Sequence, residues 1–171
     1  MDFKDKFYKA VNEAYDPEAN IFSQNDFRFA ETQRGEDSPT GKTRIVLNHN
    51  KLKKSGAGTN YVNEMLIGEG LHLIKDIDPA RANRLYDKAI NDPPVLNWLK
   101  ESYKREQQSN DEKRSFDKWV KTSRLDQIIG GYLLGGSSSS IPTMKAWPVD
   151  KLPYGTEFKK ELDILKVDLD L

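Results

Sequence analysis

The 171-residue chain contains no cysteine and only two histidines. The lack of cysteine excludes disulfides, thiolate nucleophiles, iron–sulfur clusters and Cys-type zinc sites. With two imidazoles, any metal site has to lean on carboxylates. Charge of one sign is also lacking, since 27 Lys and Arg face 27 Asp and Glu. That balance removes the global field on which a non-specific nucleic-acid binder relies, so no specific nucleic acid is expected as a partner. Long apolar runs are missing too. The best, Ile128 to Leu134, has seven residues and includes two glycines, against about 18 for a membrane span. No membrane partner is expected. Met1 to Asp16 carries no apolar run of the kind a signal peptide needs, so secretion by one is not expected either.

What is present points to a folded chain with a charged surface. The hydrophobic fraction is 36%, mean hydropathy is −0.78, and three Trp, seven Tyr and seven Phe argue against a disordered chain. Phe3, Phe7, Ala10, Val11 and Ala14 recur at helical spacing, which predicts an amphipathic helix over 2–14, ended by Asp16-Pro17. Asn25 to Glu31 alternates, with Phe27 and Phe29 on one face, as in a short strand. Thr43 to Leu47 is the clearest strand. Segments 33–42 and 51–58 read as loops from their Gly, Pro, Ser and Lys content. A helix is expected from Thr59 or Asn60, with Val62, Met65, Leu66, Glu69, His72 and Leu73 on one face.

Asp78-Pro79 and Asp92-Pro93-Pro94 open two further helices. The first turns Ala82, Leu85, Tyr86 and Ala89 inward, the second Val95, Trp98, Leu99 and Tyr103. Residues 104–114 are charged and Gln-rich, either an exposed helix end or a loop. Phe116 to Leu134 predicts a long helix. Gly135-Gly136 and four serines read as a linker. Ile141 to Gly155 reads as irregular, with Trp147 as a loop anchor, and Thr156 to Asp168 as a last helix. The expected fold is α+β and mostly helical, a single domain of about five helices with a small β element. Within it, 1–42 form an N-terminal helix and loop arm, 43–136 the helical core, and 137–171 a Ser-rich loop and C-terminal helix.

Gly35 to Thr43, GEDSPTGKT, ends like a phosphate-binding loop. Five residues, not four, separate Gly35 from Gly41, and a strand follows where a helix is needed. It reads as a turn. Lys51, Lys53 and Lys54 form a basic patch that reads as solvated. Asn63 to Lys75, NEMLIGEGLHLIK, carries more. Glu69 and His72 lie three apart and share a helix face with Met65, Leu66 and Leu73. Burying either alone costs on the order of a few kcal/mol, so partners elsewhere are expected.

Gly68-Glu69-Gly70-Leu71-His72 resembles the zincin metallopeptidase helix His-Glu-x-x-His, in which two His bind zinc and the Glu activates water. Gly68 stands where the first His belongs. Ser123 to Tyr132, SRLDQIIGGY, resembles the later zincin helix that supplies a carboxylate ligand. Asp126 falls at that position and Gly130-Gly131 where the helices approach. The resemblance implies a zincin-like core over 43–136 and leaves two readings. In one the zinc is lost, no cofactor is bound, and Glu69, His72, Arg124 and Asp126 form a buried polar network of a pseudoenzyme, Arg124 answering the carboxylates. In the other, a metal-dependent, peptidase-like hydrolase holds zinc on His72 and Asp126 with Glu69 as general base. His49, placed in a loop after the strand, is the spare imidazole.

Glu69-Gly70-Leu71-His72-Leu73 is also similar to the catalytic-Glu segment of phage-type lysozymes, which implies a peptidoglycan glycosidase with Glu69 as general acid. The string from Asn60 to Pro153 resembles small domains of tailed-phage structural and accessory proteins. The expectation that follows is a non-catalytic structural or accessory component of a larger assembly, a bacteriophage virion on that resemblance. Its partners would be other protein subunits and its location cytoplasmic or virion. The two hydrolase readings stand as alternatives.

Overall fold

A computed structural model describes residues 1–134 and 154–171, apart from the side chain of Ser123. The expected linker at Gly135 to Ser140 and the irregular stretch from Ile141, Trp147 included, lie outside the described residues as far as 153. The described chain is mostly helical with one small antiparallel sheet, as the periodicity predicts. It divides into two compact units, Met1–Ile77 and a second that begins at Asp78.

In the first unit, α1 (Phe3–Ala14) starts on Asp2, whose carboxylate accepts the Asp5 N–H at 2.8 Å, and turns Phe7, Val11 and Ala14 inward. Strands β1 (Ala30–Gln33) and β2 (Arg44–Leu47) pair antiparallel, Ala30 opposite Leu47 and Gln33 opposite Arg44. The link between them turns through Gly35 and Gly41 at φ 47° and 72°, the left-handed region that glycine enters without steric cost. Helix α2 (His49–Lys54) follows, with Asn48 Oδ1 accepting the Lys51 N–H at 3.2 Å. Helix α3 (Thr59–Gly70) runs through a 3-10 turn, Leu71–Leu73, into α4 (Ile74–Ile77). It packs on α1 and on both strands. Gly70 marks the closest approach of α1 and α3, since a Cβ there would overlap Val11 Cγ2 and press on Phe7 Cζ. Phe7, Ile45, Val46, Leu47 and Leu71 are buried in this unit.

The regular elements among the second unit's described residues are all helices: α5 (Pro79–Ile90), α6 (Pro93–Ser109), α7 (Phe116–Trp119), α8 (Leu125–Leu133) and α9 (Thr156–Asp168). A π-helical turn, Val120–Arg124, joins α7 to α8 as one rod, matching the long helix expected from Phe116. Counting α3 with α4 and α7 with α8 as single rods, the described residues hold seven helices. Asp78 caps α5 by accepting the Arg81 N–H, and Ser115 caps α7 by accepting the Lys118 N–H. Helix α9 lies against α5 and α8. Leu85, Leu99, Ile128, Phe158, Leu162 and Leu165 fill the core, each such side chain contributing about 1.5–3 kcal/mol on burial.

Asp92 is a buried carboxylate that does not cap its own helix, α6. Its Oδ2 lies instead 3.4 Å from the Phe158 N–H in the first turn of α9, where a negative charge is favoured. A Cβ at Gly155 would fall on that carboxylate, so a glycine is needed where α9 begins. No helix among the described residues is long and apolar enough to cross a membrane.

Two local expectations are corrected. Residues 25–29 are not strand; β1 begins at Ala30. The Asp26 side chain accepts the Arg28 N–H at 2.9 Å and pairs with the Arg28 guanidinium at 2.8 Å. This local turn competes with a ladder and leaves Phe27 82% exposed. Residues 51–54, part of the loop expected over 51–58, belong to α2, because Asn48 supplies a cap and Leu52 an inward anchor.

Candidate functional site

Glu69 is half-buried in the last turn of α3. Thr32 on β1 places its Oγ1 2.7 Å from Glu69 Oε2 and 3.1 Å from the Glu69 carbonyl. A hydroxyl has one proton to give, and the charged carboxylate is the stronger acceptor. His72 is not on the face of α3 as expected. It sits in the 3-10 turn beyond Gly70, because the α-helix ends there. The His72 carbonyl accepts from the Arg34 guanidinium, which also reaches Asp76 at 3.6 Å. Thr32 and Arg34 lie two apart on extended chain, a spacing that puts them on one side. Together they latch the end of α3 and the turn after it to β1. Sequence reading missed both, although their i, i+2 relation was visible.

Arg124 and Asp126 lie in the second unit, so the four predicted residues fall two in each. Arg124 closes the π-helical turn with its guanidinium 4.7 Å from the Trp98 ring centroid and Nη1 3.0 Å from Gln127 Oε1. Burial pushes its pKa below the usual arginine value, Glu106 opposes this, and Arg105 adds to it. Asp126 is buried in the first turn of α8. His49, expected in a loop, opens α2 and places Nε2 3.4 Å from the Tyr15 hydroxyl. Among the described residues no group of three or more His, Asp or Glu is gathered as a metal site.

The first unit also holds a hollow of about 490 Å³ along α2. Its walls carry five carboxamides, from Asn20, Gln24, Asn25, Asn48 and Asn50, together with Lys51 and Lys54. A hollow of about 270 Å³ shares Lys51 and Lys54 and adds Phe29. One of about 150 Å³ shares Asn20, Asn48 and Asn50 and adds His49. The three hollows adjoin along α2 through these shared wall residues, a trough in three parts. Several of its groups are committed to the fold. Asn20 Oδ1 accepts the Phe22 N–H at 3.4 Å. Asn48 donates from Nδ2 to the Arg28 carbonyl at 2.9 Å while its Oδ1 caps α2. Lys51 donates to the Phe27 carbonyl at 2.6 Å and lies 4.7 Å over the Phe29 ring. Asp26, also in the wall, has its carboxyl held down to about 2 by the Arg28 side-chain hydrogen bond first and the Arg28 backbone N–H second. The sequence marks the lysines, but the carboxamides come from two segments, 20–25 and 48–50, that only the fold brings together.

No family model matches the chain, and no significant similarity to a curated protein or to a solved structure was found.

Proposed function

We propose that the chain is a non-catalytic structural or accessory component of a larger assembly, with other protein subunits as partners. A phage particle is the setting that the tailed-phage resemblance implies. The observation that supports this reading is the engagement of Glu69. A general base has to reach the proton it removes, whereas Glu69 holds the Thr32 hydroxyl at 2.7 Å and ties α3 to β1. On this reading Glu69 and His72 are struts of the fold.

Thr32→Val and Glu69→Ala are expected to lower stability by about 1 kcal/mol, by removing the hydrogen bond between these half-buried side chains. Thermal and urea unfolding measure this. The purified chain should take up no zinc in titration calorimetry and cleave neither peptide nor peptidoglycan. Stoichiometric zinc lost in His72→Ala, with peptide cleavage lost in Glu69→Gln, would replace this reading by the metallohydrolase. Clearing of peptidoglycan would replace it by the glycosidase. In extracts of its native source the chain should sediment well above its own 19.6 kDa; recovery only as a free monomer would count against assembly.

A further inference from the structure

We infer that the trough along α2 binds an extended, hydroxyl-rich oligosaccharide through its carboxamides. A carboxamide presents a donor and an acceptor side by side, and a sugar hydroxyl both donates and accepts. Asn and Gln therefore match neighbouring hydroxyls with paired hydrogen bonds, without any demand for charge. Asn20, Gln24, Asn25 and Asn50 are exposed. Gln24, Asn25 and Asn50 make no side-chain hydrogen bond among the described residues. They are thus three uncommitted amide groups around one hollow.

Asp26 in the wall is tied to Arg28 through both carboxylate oxygens, so the pair is net neutral and offers a phosphate no free cation. A nucleic acid strand or polyphosphate needs several free cations. Lys51 is already tied to the Phe27 carbonyl and the Phe29 ring, which leaves Lys54 to line both larger hollows. Phe27, next in sequence to Asp26 of the wall, stands 82% exposed, an apolar side chain that a pyranose ring could meet with its C–H face. Three adjoining hollows suit several sugar units in a row better than one. None of these residues belongs to the Glu69 region, so the site stands or falls apart from the non-catalytic reading.

The probes are cellotetraose, maltotetraose, chitotetraose and tetragalacturonate, with an oligothymidylate as the phosphate comparison. Each is added to the full chain in saturation-transfer NMR and titration calorimetry at about 0.15 M salt. At least one tetrasaccharide should bind, with little change when the salt is doubled. The double variant Asn25→Ala, Asn50→Ala should weaken that binding about tenfold or more, roughly the loss of two hydrogen bonds, at an unchanged melting temperature. Absence of binding by all four sugars would overturn the inference. So would binding that survives the double variant, or binding confined to oligothymidylate that falls steeply with salt.

Discussion

In the second unit charged side chains close on one another across helices, Arg81 on Asp168 and Arg84 on Glu161 at 3.2 Å, so that α5 and α9 are laced as well as packed. In the first unit the exposed polar side chains along α2 face a hollow, and the polar bonds run between strand, loop and helix: Thr32 and Arg34 onto α3 and the turn that follows, Arg44 onto Gln33 and Asp16, and Arg28 onto Asp26 and Glu31. Both units bury a comparable apolar core. The difference lies in where the polar groups are satisfied. A helix pair offers long parallel edges on which Arg and Glu meet every turn. A two-stranded sheet with a long arm offers short edges and concave surface. Gln24, Asn25 and Asn50, which make no side-chain hydrogen bond among the described residues, all line that hollow, and it is the stronger candidate for binding.

The contrast can be broken most strongly in the cores. Phe7→Ala in the first unit should cost about 3–5 kcal/mol and Leu162→Ala in the second about 2–5 kcal/mol. Both side chains are fully buried. Hydrogen exchange should show each substitution raising exchange most in its own unit. Uniform acceleration throughout would mean that the two units unfold as one. Next come the glycines. Gly70→Ala should cost about 1–3 kcal/mol by forcing α1 and α3 apart, read as a lowered urea midpoint. A smaller effect is expected from Arg84→Ala. Its pair is part-exposed, with side-chain exposures of 46% and 17%, so the loss should be about 0.5 kcal/mol and shrink with salt.

The smallest effect is a pH dependence that both units share. Asp26 in the first unit and Glu112 in the second are each held to about 2, by Arg28 and Arg114 respectively. A carboxyl whose folded pKa is depressed contributes stability above its unfolded value, about 4. That contribution is lost as pH falls through the folded value. NMR titration of the two carboxyl carbons should place both midpoints near 2. A midpoint near 4 for Asp26 alone would show that the arm carrying the trough is looser than the helical unit.

Much of the helical architecture was legible in the sequence. Strong periodicity located α1 and α9, and Asp-Pro pairs located the starts of α5 and α6. These signals are local and repeat over several turns. The misreadings occur where one side chain redirects the backbone. Asp26 holds 26–28 in a turn, and Asn48 starts a helix in a segment that looks like loop. The candidate site was half legible. Glu69 stood out because a carboxylate on an apolar face demands a partner. Its partner, Thr32, lies far away in sequence on a strand only four residues long. Gly70 looked like part of a degraded motif, yet its packing against Val11 and Phe7 accounts for it.

Asp92 and Gly155 share one parcel of space, because the carboxylate that serves the start of α9 occupies the room a side chain at 155 would need. Position 155 is not free to take a side chain while Asp92 holds that place. Homologous chains should show them changing as a pair, with any residue larger than glycine at 155 matched by one shorter than aspartate at 92. A cap borrowed from another helix thus leaves an inheritance pattern that a cap supplied from within the same turn would not.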